Sequence, residues 1–383
     1  MTGLSIDLTQ FEFWLVCLVG VLILVPLAHA AARRLVWAAV NLSFLALILG
    51  WNAVGIGASI AVFYVLIQGV AGRPRLMSTV ICAAAISALF LMHKLPFIST
   101  NIGMGPLSDV LPVIGFSYIA LRMVELLRAV FEGRHPPPDF ASTVNYLMPF
   151  HMLAAGPIQA YDEFVCQPAI PKPLSHRDVL GAAERITLGL FKKFVLAYAI
   201  QKTLLTNFEA DGLYFFLEVQ VFFLWLYLDF SAYSDLAVGI GRLLGVATPE
   251  NFDRPYLARN AIDFWTRWHI SLAQFIRRNI FIPIQLHLTR KTGGRHALLV
   301  ASFSFTIAFL LCGLWHGLTI NFLLWGAIHA LALVIANLWR AYLKKQLGTQ
   351  GVKRYLADRR VKFLAQVVTY EYVAFSLVVL FIP

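Results

Sequence analysis

Apolar runs of bilayer length recur along this chain, at about residues 12–31, 35–51, 53–71, 76–96 and 110–131, and again within 212–246, 297–313 and 318–340. A helix needs about 20 mostly apolar residues to cross the hydrocarbon core. Backbone in lipid must satisfy its own polar groups, so such runs fold as helices. Only 13% of the residues are charged, against about 25% in an ordinary soluble domain, and the deficit extends over almost the whole length. The expected fold is all-α: a polytopic membrane protein of about ten or eleven spans, forming one integral membrane domain over 1–383. No internal repeat, low-complexity tract or soluble module interrupts it.

The net charge of +11 does not indicate nucleic-acid binding, because the basic residues sit between apolar runs instead of on one module. Arg33, Arg34, Arg73 and Arg75 fall in alternate connections, while those near Trp51-Asn52 and Pro96–Asp109 hold almost no positive charge. The positive-inside rule then places the start of the chain outside and the first and third spans ending inside. Ala28-His29-Ala30 resembles a signal-peptidase site, but Asp7 and Glu12 precede the apolar run and Arg33-Arg34 follow it, the reverse of a secretory signal. A retained first span is expected. Four scattered cysteines form no Cys-x-x-Cys pair, and no metal-ligand spacing appears.

The middle of the chain is less regular. Residues 143–158 form a short apolar stretch that the Gly156-Pro157 pair should end. A helical stretch follows from about His176 to Thr206. Residues 250–295 are too mixed to span, and amphipathic or re-entrant helices are expected there.

Two histidines stand out. His316 lies in Phe309-Leu-Leu-Cys-Gly-Leu-Trp-His-Gly317, where an ionisable ring is costly and marks a functional site by default. Gly313 and Gly317 would let a neighbouring helix approach closely. A buried imidazole stays neutral and is a suitable general base; the competing reading is a core histidine bonded across a packed interface. His269 lies in Asp263-Phe-Trp-Thr-Arg-Trp-His-Ile-Ser-Leu272. If 261–278 is one helix, Trp265, Trp268, His269 and Leu272 share a face, and Asp263 can pair with Arg267. An interfacial helix with an aromatic belt is the alternative.

A third cluster, Asp229-Phe-Ser231-Ala-Tyr233-Ser-Asp235, is spaced so that Asp229 meets Tyr233 and Ser231 meets Asp235 on one helix. Arg242 could neutralise Asp235. A structural polar network is the main reading, and lining a substrate passage is the second.

Taken in order, Asp229–Asp235, Pro249-Glu-Asn251-Phe-Asp-Arg-Pro-Tyr256, Phe264-Trp-Thr-Arg-Trp-His-Ile-Ser-Leu272 and Gly313-Leu-Trp315-His-Gly317 resemble the signature run of the membrane-bound O-acyltransferase family. The wording is most similar to the bacterial branch that holds the alginate-acetylation membrane subunit and the teichoic-acid D-alanyl transferase. Ala155-Gly-Pro-Ile158 and Gly189-Leu-Phe-Lys-Lys193 match that branch too, and the likeness runs from about Pro112 to Ala330. Thr266 stands where the family often has arginine, and Pro283-Ile-Gln-Leu-His287 replaces a glycine-rich turn. The chain ends soon after its last apolar run, so the longer C-terminal region of some relatives is expected to be missing.

The resemblance implies a ring or funnel of helices around a central passage, in a multi-pass protein of the cell (inner) membrane. By carry-over, His316 and His269 are the catalytic pair, with Asp229, Ser231, Tyr233, Asp235, Asn251, Trp265, Arg267, Trp268 and Trp315 supporting them or lining the passage. It further implies transfer of a small acyl group, acetyl first, to a cell-envelope polysaccharide or a periplasmic partner. The donor would be a cytoplasmic acyl-coenzyme A or acyl-carrier protein, with no cofactor bound tightly. D-alanyl transfer to teichoic acid, long-chain acylation of a protein or lipid, and transport of a small molecule through the Asp229–Asp235 region stay open as alternatives.

Overall fold

The computed structural model of the chain describes residues 11–27, 29–50, 52–70, 116–153, 155–205 and 212–381. The expected span at 76–96, the loop from Pro96 to Asp109, Cys82, and Arg73 and Arg75 lie outside them. The described residues contain no β-strand. Their helices are α1 (Phe11–Leu24), α2 (Ala30–Leu49), α3 (Asn52–Val70), α4 (Phe116–Phe131), α5 (Phe140–Leu147), α6 (Tyr161–Val165), α7 (His176–Phe191), α8 (Tyr198–Leu204) and α9 (Gly212–Leu244). After these come α10 (Ala261–Trp265), α11 (Ile270–Ile276), α12 (Ile282–Lys291), α13 (Ala297–His316), α14 (Ile320–Ala357) and α15 (Arg359–Ser376). The chain is an all-α polytopic membrane protein. Among the described residues, five segments are long and apolar enough to cross a membrane: Ala30–Ile48, Phe215–Leu244, Ala297–His316, Ile320–Ala357 and Arg359–Leu380. Phe13–Leu24 and Ala53–Gly69 are shorter apolar helices. Large apolar side chains such as Val65, Leu299 and Val368 are exposed on them, as lipid-facing surfaces require.

Two compact units are present: Met1–Leu190 with Ala232–Pro249, and Phe191–Ser231 with Glu250–Pro383. In the first, Phe13, Phe44, Tyr146, Phe150 and Leu244 are buried in the core. Arg33 does not sit in a loop; it lies in the first turn of α2, buried, and donates to the carbonyls of Leu24 and Leu244. Those are the last residues of α1 and α9, so one guanidinium serves two helix C-termini, where carbonyls lack intrahelical donors. The apolar stretch at 143–158 ends earlier than its Gly-Pro pair. α5 stops at Leu147, because Pro149 cannot continue it and disfavours helix in the residue before it. Gly156 has a packing role instead: a β-carbon there would lie 2.5 Å from the Cα of Met152. Gly189 in the second branch motif is similar, with the carbonyl of Ala232 2.8 Å from where its β-carbon would stand.

The helical stretch from His176 continues into the second unit, where it loosens into a π-helix at Lys192–Ala197 before α8. Residues 250–296 are short helices and turns, none long enough to span, as the mixed composition predicts. The Pro283–His287 segment is plain helix within α12. The apolar run at 318–340 does not end there. α14 carries on to Ala357, with a non-helical kink at Gly348.

Candidate active site

The two histidines of the sequence motifs line one cavity of about 200 Å³ within the second unit. His316 is the last residue of α13, capped by Gly317. It is brought there by a tight hairpin between α13 and α14: a β-carbon on Gly317 would lie 2.2 Å from the ring of Phe322. The small residues flanking His316 thus allow the close approach that their spacing suggests.

His269 arrives by a different route from the one its helical spacing predicts. The stretch 261–278 is not one helix. α10 ends at Trp265, His269 adopts a left-handed conformation (φ 44°, ψ 52°), and α11 begins at Ile270. The cause is a short antiparallel bridge between Phe252 and Trp268. Asp253 N–H donates to the Arg267 carbonyl (2.9 Å), and Ile270 N–H to the Asn251 carbonyl (3.0 Å). Asn251 Oδ1 also accepts from Ser271 N–H at 3.1 Å, capping the start of α11. These long-range bonds cannot coexist with continuous helix through 266–269. Trp265, Trp268 and His269 therefore reach the cavity by a turn and share no helix face. A left-handed residue other than glycine costs about 1–2 kcal/mol. The bonds of Asn251 and the pairing of Arg267 with Asp263 (2.8 Å) hold the turn in that conformation.

Burial, and then the neighbouring His316, hold the His269 imidazole well below its ordinary pKa, so it is neutral near pH 7. Phe230 meets its ring edge-on at 4.7 Å between centroids. Trp268 stacks on Phe264 at 5.6 Å. The rest of the wall is apolar: Phe223, Leu226 and Phe230 from α9, and Val373, Leu377 and Leu380 from α15 and the residues after it. Among the described residues, no carboxylate lines the cavity.

Two lining residues with polar side-chain atoms carried no motif-level signal. His329 is 2% exposed on α14. The indole N–H of Trp265 donates to its Nδ1 (3.3 Å), its Nε2 meets Ser376 Oγ (3.0 Å), and Ser376 donates on to the Val373 carbonyl (2.6 Å). Nδ1 accepts, so the proton sits on Nε2. Both nitrogens are engaged, which leaves His329 no free lone pair to act as a base. Trp325, four residues earlier, packs against it with centroids 4.6 Å apart. A histidine and a tryptophan at i, i+4 in an apolar span were visible in the sequence as a pair on one helix face.

The remaining sequence candidates lie off the cavity wall. Asp229 pairs with Lys193, and Ser231 Oγ accepts from Lys192 at 3.3 Å. Tyr233 donates to the His151 carbonyl at 3.4 Å. Asp235 pairs with Arg185 at 2.8 Å and not with Arg242, whose guanidinium donates to the Gly181 carbonyl. Sequence proximity suggested Arg242, but Arg185 on α7 lies closer in space. The cluster is cross-linked by ion pairs and hydrogen bonds, in line with a structural network. Trp315 stands beside His316 at 4.7 Å, and Asn251 and Arg267 shape the His269 turn.

The sequence pattern of the membrane-bound O-acyltransferase family matches residues 77–378. The chain is 29% identical over 309 residues to the teichoic acid D-alanyltransferase of Bacillus subtilis, covering 78% of this chain and 76% of that protein. It is 32% identical over 220 residues to the peptidoglycan O-acetyltransferase of Helicobacter pylori (54% and 40% covered). It is 29% identical over 290 residues to the probable alginate O-acetylase of Pseudomonas aeruginosa, covering 70% of this chain and half of that one. With the two motif histidines on one cavity and the family pattern spanning most of its length, the chain is an acyltransferase and belongs to the membrane-bound O-acyltransferase family.

Proposed function

We propose that this enzyme moves a short, uncharged acyl group, acetyl, from a cytoplasmic thioester donor to a hydroxyl of a cell-envelope polysaccharide or of a periplasmic partner. The supporting observation is the cavity: the imidazoles of His269, His316 and His329 in a small space walled by aromatic and aliphatic side chains, with no carboxylate among the described residues. A volume of about 200 Å³ suits a short acyl group better than a long chain. A D-alanyl group carries an ammonium, and a charge buried without a partner is costly. The similarity to the Bacillus subtilis D-alanyltransferase keeps that acyl group as the second reading.

His316 acts as general base. It takes the proton of the acceptor hydroxyl as that oxygen attacks the thioester carbonyl, and returns it to the departing thiolate. His269, neutral and buried beside it, orients the reactants. An acyl-coenzyme A or an acyl-carrier protein fits the donor role, since both are acidic and the chain is basic. The setting is the cell inner membrane. The carboxylates of Asp229 and Asp235 are each paired, which weighs against a transport path built on them.

The test is His316→Ala in cells lacking their own copy, with base-labile ester on the envelope glycan measured and the released acid identified. Acetate is expected from the wild type, and no ester from the mutant. Wild-type ester content from a stably folded His316→Ala protein would end the proposal, and released D-alanine would replace acetyl with the second reading.

A further inference from the structure

Trp325 lines the same cavity as His316 and is 8% exposed. The His316 ring meets it at 5.2 Å between centroids, almost perpendicular (83°). Its indole N–H is buried and has no hydrogen-bond partner among the described residues. The neighbouring indole of Trp265, in the same cavity, is satisfied by His329. Buried donors are nearly always paired, and an orphan costs about 1–3 kcal/mol. Here the cost falls on a rigid ring beside the general base, where acyl transfer needs a donor. Nothing else in the reaction as described above stabilises the oxygen that becomes negative when the carbonyl is attacked.

We propose that the Trp325 Nε1–H donates a hydrogen bond to the acyl carbonyl oxygen as transfer proceeds. The inference rests on the reading of His316 as base. The acceptor oxygen forms a bond to the carbonyl carbon, and its proton passes to the unprotonated ring nitrogen of His316. The carbonyl π pair moves onto oxygen, which accepts from Trp325. The pair then returns to re-form the carbonyl, the carbon–sulfur bond breaks, and the thiolate leaves with its electrons and takes the proton from His316. Ester and thiol result, with both side chains restored. His329 cannot take this part, because its N–H is committed to Ser376. It does hold the indole, packed at 4.6 Å, while Trp265 closes on Trp325 from another side at 6.0 Å. A donor fixed before the reaction needs no reorganisation as charge develops, which is the condition under which such bonds contribute most.

The test places 3-benzothienylalanine at position 325 of the full-length protein. This side chain keeps the shape of tryptophan and puts sulfur where the N–H stands. Trp325→Phe is made alongside, and both are expressed in cells lacking their own copy. The readout is the initial rate of base-labile ester formation on the envelope per amount of membrane protein, with the melting temperature measured in detergent. Base-labile ester reports either acyl group. The benzothienyl variant should melt as the wild type does and lose about 100-fold in rate. A loss of about tenfold or more, at unchanged melting temperature, supports the proposal, and a smaller one overturns it. If Trp325→Phe fails to fold, the benzothienyl variant decides. His316→Ala in the same strain separates the two ideas. If it is inactive while the Trp325 variants are not, only the role of Trp325 falls; if it is active, the base assignment falls first.

Discussion

Gly313 and Gly326 face each other across the hairpin of α13 and α14, so closely that a β-carbon on Gly313 would lie 3.3 Å from the Cα of Gly326. The same added atom would be 2.2 Å from the Phe322 carbonyl oxygen, and one on Gly326 would be 2.4 Å from that of Phe309. The contact is backbone against backbone, so neither side can yield by changing a rotamer. His316 follows three residues after the first glycine and Trp325 immediately precedes the second.

Gly326→Ala should therefore push the two helices apart and separate His316 from its neighbours. Overpacking of this kind costs about 1–3 kcal/mol, and the rate of ester formation should fall further than the melting temperature alone explains. Gly57→Ala on α3 is the control, because nothing lies within 4 Å of its added carbon. It should be neutral or stabilise by up to about 1 kcal/mol through helix propensity.

Asn251 should tolerate aspartate better than alanine. Its side chain is fully buried and its Oδ1 accepts the backbone N–H that begins α11. Alanine leaves that N–H unpaired at a cost of about 1–3 kcal/mol and frees the turn that holds His269. Asn251→Asp retains an acceptor at the same place, and a carboxyl enclosed there takes up a proton instead of carrying an unpaired charge. Acyl-transfer rate and melting temperature of the two variants check this; equal behaviour would show that the cap does not hold the turn.

Two ion pairs should differ sharply. The side chain of Asp235 is 8% exposed and that of Arg185 24%. Asp235→Ala leaves a guanidinium poorly solvated, and a loss of about 3 kcal/mol is expected, at the low end for a buried pair because Arg185 keeps some exposure. Asp253, 67% exposed beside Arg267, should cost at most about 1 kcal/mol when changed to alanine. Thermal unfolding in detergent separates the two.

His329 and Trp265 should behave as one unit. His329→Phe strands the indole N–H, and Trp265→Phe strands the Nδ1 acceptor, each at about 1–3 kcal/mol. The double variant removes both partners and should be less unstable than the two single losses added together. Strict additivity would mean that the 3.3 Å contact contributes nothing.

Helix class, most of the long apolar segments and the i, i+4 pair of Asp263 and Arg267 were legible because each depends on a short stretch of chain. Apolar length decides whether a helix can lie in lipid, and a four-residue spacing decides which side chains can touch on it. The choice of His316 as a candidate rested on its apolar surroundings, which are also local. What the linear order could not supply was the set of partners drawn from distant segments. The bridge from Phe252 to Trp268 breaks a stretch whose own periodicity favours helix, since tertiary hydrogen bonds outweigh a weak local preference. Asp235 pairs with Arg185 because α7 packs against it, although Arg242 is nearer in the chain. The joining of His269, His316, His329 and Trp325 on one wall, with one indole satisfied and the other not, depends on how α10, α13, α14 and α15 pack. Packing is a property of surfaces separated by many residues, and it exists only once the chain is folded.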